Sequence, residues 1–272
     1  MAKHDTDQLF SGSIPLLYET HLVPLIFEPY GRDLATRLAA RSLTHVLEVA
    51  AGTGVVTRAL DATLPDHVAI TATDLNQAML DQAATVGTKR KVQWRQADAM
   101  QLPFEDATFD AVVCQFGVMF FSDRPRAYAE ARRVLCSGGI FIFNVWDRIE
   151  ENEFAHIVTK ALEQVFPANP PRFLARTPHG YHDRRIIGQE LVQAGFSSTP
   201  DTITMQARSR AASARIPAVA YCQGTPLRNE IEARDAARLG EATDTASEAI
   251  ARRFGHGAVD GRIQAHVIAV TK

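Results

Sequence analysis

Three acidic residues stand at or near the ends of short apolar runs. Glu48 lies in VLEVAAGTG (46–54), Asp74 closes VAITATD (68–74), and Asp98 follows VQWRQA (92–97). Gly52 and Gly54, separated by Thr53, come directly after the first run. Glycines in that position let backbone approach a nucleotide closely. Carboxylates at the ends of successive runs can accept from hydroxyls and amines, or draw in a cation. A dinucleotide fingerprint needs a third glycine for tight helix–strand packing, and Thr57 occupies that place here. Glu48 beside the loop would repel a pyrophosphate. Asp74, twenty residues after Gly54, has the spacing of an acceptor for ribose hydroxyls. Asp98 can accept from the exocyclic amine of adenine, while the Ala99 N–H meets the ring.

A ligand with an adenine, a ribose and a positively charged tail answers all three acids. S-adenosylmethionine is such a ligand, because its sulfonium and ammonium gain from nearby carboxylates and aromatic faces. The competing readings are a nicotinamide-dependent oxidoreductase, disfavoured by Thr57 and Asp98, and a cofactor-binding protein without catalysis.

The elements that must position these residues alternate. Strands are expected over Val46–Ala50, Val68–Thr73, Val92–Gln96, Ala111–Phe116 and Ile140–Trp146, with helical spacing between them. Asn76 reads as a helix N-cap. Pro125 reads as opening a helix that runs to Leu135 and stops at Ser137-Gly138-Gly139. Strand–helix repetition with short connections calls for a parallel sheet with helices on both faces. Further on, a helix is expected near Arg185–Ala194, closed by Gly195, and two strands at Thr202–Gln206 and Ile263–Val270. The stretches 148–183 and 208–259 read as insertions over the ligand-binding edge. Helical patterns near Ile14–His21 and Gly31–Ala40 precede the first strand.

Composition sets outer bounds. The 272 residues carry a net charge of −2, with 46% hydrophobic and 22% charged, which offers no electrostatic footprint for nucleic acid. The one basic cluster, Lys89-Arg90-Lys91, reads as a solvated turn. No run approaches the roughly 20 apolar residues that span a bilayer, and the polar opening MAKHDTDQLFSGS lacks the apolar core of a signal peptide. Three scattered cysteines, Cys114, Cys136 and Cys222, form no C-x-x-C pair and fit a reducing cytoplasm.

VLEVAAGTG (46–54), TATDLNQAML (71–80), QADAMQLPFEDATFDAVVCQFGVMFF (96–121) and RVLCSGG (133–139) together resemble the class I S-adenosylmethionine-dependent methyltransferases, in the small-molecule branch similar to the ubiquinone and menaquinone C-methyltransferases. The resemblance continues more weakly through GYHDRRIIGQELVQAGF (180–196). It implies an α/β, Rossmann-like, seven-stranded and mostly parallel sheet with helices on both faces, its last strand antiparallel, and helical insertions forming a lid. It further implies one methyltransferase domain: capping helices over 1–44, a cofactor-binding core over 45–147, and insertions with the final strands over 148–272. By the same resemblance Glu48, Ala50 and Gly52 surround the methionine end of the cofactor, and Gly54 is a further cofactor-binding residue. Asp74 holds the ribose, Leu75 and Met79 flank the adenosine, Asp98 and Ala99 read adenine, and Gln115 and Phe116 line the transfer site. The chain departs from the family at Ala50, where glycine is usual.

For the methyl acceptor, Tyr18, Phe27, Val118 and Phe173 are the candidate lining, which fits an apolar or aromatic small molecule. Tyr30 lies in a segment of the same kind. A general base is not specified by spacing. Tyr18 and His21 are candidates, as are His179, Tyr181 and His182. His179 and His182 with Asp183 look like a loop and an N-cap rather than a metal site, and no metal is expected.

Overall fold

The computed structural model describes residues 5–272; the polar opening Met1–His4 lies outside the described residues. Seven strands form one sheet: β1 (His45–Val49), β2 (Ala69–Asp74), β3 (Gln93–Gln96), β4 (Phe109–Gln115), β5 (Leu135–Trp146), β6 (Asp201–Ala211) and β7 (Val259–Thr271), in the order β3-β2-β1-β4-β5-β7-β6. The pairs β1–β2, β1–β4, β2–β3 and β4–β5 are parallel. Strand β7 runs antiparallel to β5, as the reciprocal bonds between Gly138-Gly139 and Lys272 show. The expected antiparallel last strand is therefore present.

The helices are α1 (Ile14–Leu17), α2 (Glu28–Ala39), α3 (Val55–Thr63), α4 (Gln77–Val86), α5 (Arg124–Val134), α6 (Glu153–Val165), α7 (Phe173–Arg176), α8 (Arg184–Gln193), α9 (Arg215–Gln223), α10 (Leu227–Asp235) and α11 (Leu239–Phe254). The chain divides into two compact units. One comprises residues up to Phe27 with Trp146–Tyr181 and Gln206–Ala265; the other comprises Glu28–Val145, His182–Met205 and His266–Lys272.

In the second unit, Val46, Ile70, Ala72, Ala111, Val113 and Ile142 pack with Leu34 and Leu38 of α2 and Val56 and Leu60 of α3. Tyr128, Phe141 and Phe143 form an aromatic group, with the ring of Phe196 stacked on Phe141. Strands apolar at successive positions are what a sheet covered on both faces requires. Lys89-Arg90-Lys91 is more than a solvated turn. Arg90 pairs with Asp61 at 2.7 Å and donates to the carbonyls of Asp61, Leu64 and Pro65, so it closes the C-terminus of α3. Four orphan carbonyls end every helix, and a guanidinium supplies donors to several at once. Arg90→Ala leaves those carbonyls and the Asp61 carboxylate short of partners. The expected loss is about 2–4 kcal/mol of unfolding free energy, read as a lower urea midpoint at unchanged slope.

The helix at Pro125 starts one residue earlier than expected and ends sooner. Asp123 accepts from the Arg126 N–H at its start, and Leu135 is already extended and paired with Phe109. Ser137-Gly138-Gly139 is thus a bend inside β5, held by Lys272 at the sheet's far neighbour. A β-carbon on Gly139 would come within 3.0 Å of two backbone oxygens, which is why glycine is needed there.

In the first unit, 148–183 contains a regular helix that its proline and aromatic content obscured. Phe154, Ala155, Val158, Ala161, Leu162 and Val165 make the buried stripe of α6, with Phe154 edge-on to Phe254 of α11. The two N-terminal helical patterns are joined: a π-helical segment, Tyr18–Phe27, links α1 to α2 and takes Pro24 within it. A search at 3.6-residue spacing does not register that wider winding. Asp7, Arg176 and Glu230 form a buried ion network in this unit, with Thr177 donating to Asp7.

Candidate functional site

The sheet order reverses between β1 and β4, and in parallel α/β sheets ligands bind at the carboxyl ends beside that point. The candidate cofactor residues lie in the second unit, most of them at those ends. Beyond Val49 the chain turns sharply: Ala50, Gly52 and Gly54 all have left-handed φ, of 55°, 58° and 86°. The turn is gripped on two sides. Ala51 N–H donates to the Thr73 carbonyl at 2.9 Å, and Gly52 N–H donates to Asp74 Oδ2 at 2.9 Å. A β-carbon on Gly117 would sit 2.5 Å from Ala50 Cβ, so the exits of β1 and β4 touch. Gly54 has Trp94 3.0 Å from where its β-carbon would be.

Ala50 adopts a conformation that costs an L-residue about 1–2 kcal/mol. Part of that is offset by the unfolded-state entropy a glycine would add. Ala50→Gly is expected to raise stability by about 0.5–1 kcal/mol, measurable as a higher denaturant midpoint.

Glu48 is 1% exposed, and its Oε2 accepts from the Thr57 hydroxyl at 2.5 Å. Burial pushes its carboxyl up to about 8, against the Thr57 hydrogen bond and Arg58, with Asp74 adding to the rise. Asp74 is also buried. Burial raises its carboxyl, opposed by the N–H groups of Asn76 and Gly52. Asn76 does begin α4, but its side chain makes no cap; the Asp74 carboxylate takes the Asn76 N–H instead.

Ala97 N–H donates to the Asp74 carbonyl at 3.0 Å, which brings the next loop alongside. There Asp98 Oδ1 accepts from Met100 N–H at 2.8 Å, and Ala99 is buried. Leu75 is 46% exposed, whereas Met79 is 3% exposed on the inner face of α4. At the end of β4, Gln115 is buried, and Phe116 holds a left-handed φ of 50° while its N–H donates to Asn144 Oδ1 at 2.9 Å. Val118 is fully buried in the following 3₁₀ turn.

The structure therefore gathers Glu48, Ala50, Gly52, Gly54, Asp74, Asp98, Ala99, Gln115 and Phe116 around four adjacent strand ends. Two buried carboxylates beside a left-handed glycine turn disfavour a diphosphate. They suit hydroxyl donors and a cation, so the residues fit an adenosyl sulfonium ligand.

The acceptor candidates Tyr18, Phe27 and Phe173 lie in the first unit. Tyr18 stacks on Phe27 with ring centroids 5.0 Å apart, Phe27 meets Trp146 at 6.1 Å, and Trp146 meets His179 at 5.9 Å. Phe10 approaches Tyr18 edge-on. Phe173 is 1% exposed, with its N–H on Glu230, so it belongs to the packing beneath. His21 is half-buried. His179 is buried, with Nδ1 2.9 Å from the Asp147 carbonyl, and Asp183 caps α8 by accepting from Arg185 N–H. No metal-holding cluster of His, Cys, Asp and Glu occurs among the described residues.

The sequence reading missed three residues. In the sequence Trp146 is the last residue of an apolar run, and Asn144 is the one polar residue within it. Thr57 stands where a dinucleotide fingerprint has glycine, and its hydroxyl, in the first turn of α3, reaches back to Glu48.

A family described as a methyltransferase domain matches residues 47–143. The ubiquinone/menaquinone biosynthesis C-methyltransferase UbiE of Marinomonas sp. (strain MWYL1) is 26% identical over 212 residues, covering 73% of this chain and 80% of that protein. The malonyl-[acyl-carrier protein] O-methyltransferase of Geobacter sulfurreducens is 34% identical over 155 residues, covering 57% of this chain and 56% of that protein. Among solved structures, the YcgJ protein from Bacillus subtilis aligns with a TM-score of 0.57 at 18% identity, over 90% of this chain and 98% of that one. That last likeness is one of fold.

Proposed function

We propose that the chain, similar to the ubiquinone and menaquinone C-methyltransferases and matched over residues 47–143 by a methyltransferase domain, is a class I S-adenosylmethionine-dependent methyltransferase that methylates a small apolar or aromatic metabolite at the carboxyl ends of β1, β2 and β4. The observation that carries the assignment of the site is the pair of buried carboxylates, Glu48 and Asp74, framing the left-handed turn at Ala50–Gly54. Asp74, held by the N–H groups of Gly52 and Asn76, takes the ribose hydroxyls. Asp98 and the Ala99 N–H take the adenine edge, with Leu75 and Met79 flanking. Glu48, Ala50 and Gly52 surround the methionine end. Gln115 and Phe116 line the place of transfer.

The bound donor supplies a methyl group already activated by the charge on sulfur. The protein's own work is then to align the acceptor and exclude water. Phe116 is fixed for this by Asn144 and by the edge of Tyr30, whose ring lies 5.2 Å away. Tyr18 and His21 remain the candidates for a base where the acceptor must lose a proton. The likeness to ubiquinone/menaquinone biosynthesis C-methyltransferases supports a flat, apolar acceptor. Among the described residues no helix is long and apolar enough to cross a membrane, and three free cysteines support a cytoplasmic location.

The test is turnover. Purified protein, S-adenosylmethionine and pooled quinol and phenol metabolites should yield S-adenosylhomocysteine above the protein-free rate. Calorimetric titration should show binding of S-adenosylhomocysteine and none of NADH; the reverse preference would overturn the assignment.

A further inference from the structure

We infer that Glu48 carries a proton in the ligand-free protein and releases it to solvent when the ammonium-bearing end of the donor enters, which makes the site selective for adenosine compounds that carry an ammonium over those that lack it. This deepens the reading of the site just given and rests on it.

The geometry is that of two acids sharing too little compensation. Glu48 is buried on β1. The charged or titratable groups around it are Asp74 from β2, Arg58 from α3 and Cys114 from β4. The Cys114 thiol is buried and pushed up to about 12, so it is neutral. Arg58 is the one cation in this set, and its Nη1 is committed to the Thr53 carbonyl at 2.6 Å. Two buried carboxylates that act on one another, with one partly engaged cation beside Glu48, do not both ionise freely.

The proton's place between them follows from hydrogen bonding. Asp74 accepts from two backbone N–H groups, Gly52 and Asn76, which cannot rotate away and which favour the charged form. Glu48 has the Thr57 hydroxyl, a group that can donate or accept and so serves either form. The shared proton therefore rests on Glu48. Burial holding that carboxyl near 8 agrees with the placement. The balance is simple: the ligand brings an ammonium to Glu48 and a carboxylate that stays ionised, the Glu48 O–H bond breaks, and one proton leaves to buffer. No other bond changes.

The experiment is calorimetric titration at pH 7 in two buffers of unlike ionisation enthalpy, phosphate and Tris. The probes are S-adenosylhomocysteine, which has the ammonium group, and 5′-methylthioadenosine, which lacks it. S-adenosylhomocysteine should release close to one proton and 5′-methylthioadenosine none. The wild-type affinity for S-adenosylhomocysteine should rise about tenfold between pH 6 and 7, a readout that needs no variant. In Glu48→Gln the release should vanish while the neutral probe still binds. Heats for S-adenosylhomocysteine that match after buffer correction to zero release, or equal release in Glu48→Gln, would sink the inference. Failure of both probes to bind is a different result and removes the reading of the site itself.

Discussion

Replacing Asp74 with alanine is expected to weaken S-adenosylhomocysteine binding by tenfold or more. Hydrogen bonds to a charged acceptor contribute about 1.5–3 kcal/mol each, and about 1.4 kcal/mol is a factor of ten. Asp74 also anchors the glycine turn, since its Oδ2 takes the Gly52 N–H and its Oδ1 the Asn76 N–H. Alanine removes the ribose acceptor and loosens the turn together, so the effect exceeds that of either alone. Asp74→Asn separates the two, because an amide oxygen can still accept one of those N–H groups. It should retain more of the thermal stability than alanine while losing most of the binding. Calorimetric titration gives the affinity, and a circular dichroism melt shows whether the fold persists. An affinity unchanged in Asp74→Ala would take this residue out of the site.

The parts of the molecule that were legible in the sequence are those where one residue type has one physical use. An apolar run such as IFIFNVW has few places to go except a sheet covered on both sides, and it lies in β5. Gly52 and Gly54 follow such a run because the backbone turns left-handed there. Asp74 and Asp98 are recognisable because a carboxylate at a strand end needs donors. What was not legible depends on partners far along the chain. Arg90 reads as one of three exposed bases, and only the structure puts it on Asp61 and the last carbonyls of α3. Thr57 reads as a missing glycine, whereas its hydroxyl donates to the Glu48 carboxylate. The π-helical winding at Tyr18–Phe27 has no periodic signature of its own. Val118 and Phe173 show the converse difficulty. Their apolar character fits a pocket wall and a core equally well, and both are buried in packing.

Glu48→Gln is expected to stabilise the ligand-free protein, and by more as pH rises. The sign follows from linkage. The folded-state carboxyl titrates near 8, above its ordinary value of 4.5, because burial penalises its charge. The folded protein therefore binds a proton that the unfolded chain gives up more easily. That preference is fully present below 4.5 and is lost progressively as pH climbs to 8, at about 1.4 kcal/mol per pH unit. A neutral glutamine has no such window, and its amide oxygen can still take the Thr57 hydroxyl. At pH 5 the two proteins should melt within a few degrees of each other. At pH 8 the variant should melt higher, by an amount corresponding to several kcal/mol. Asp74 contributes in the same direction, since burial raises it too, and it is present in both proteins. Scanning calorimetry of both proteins from pH 5 to 8 reads this directly. A constant difference in melting temperature across that range would mean that the Glu48 carboxyl is ionised throughout. The buried acid would then be held by the Thr57 hydroxyl and Arg58.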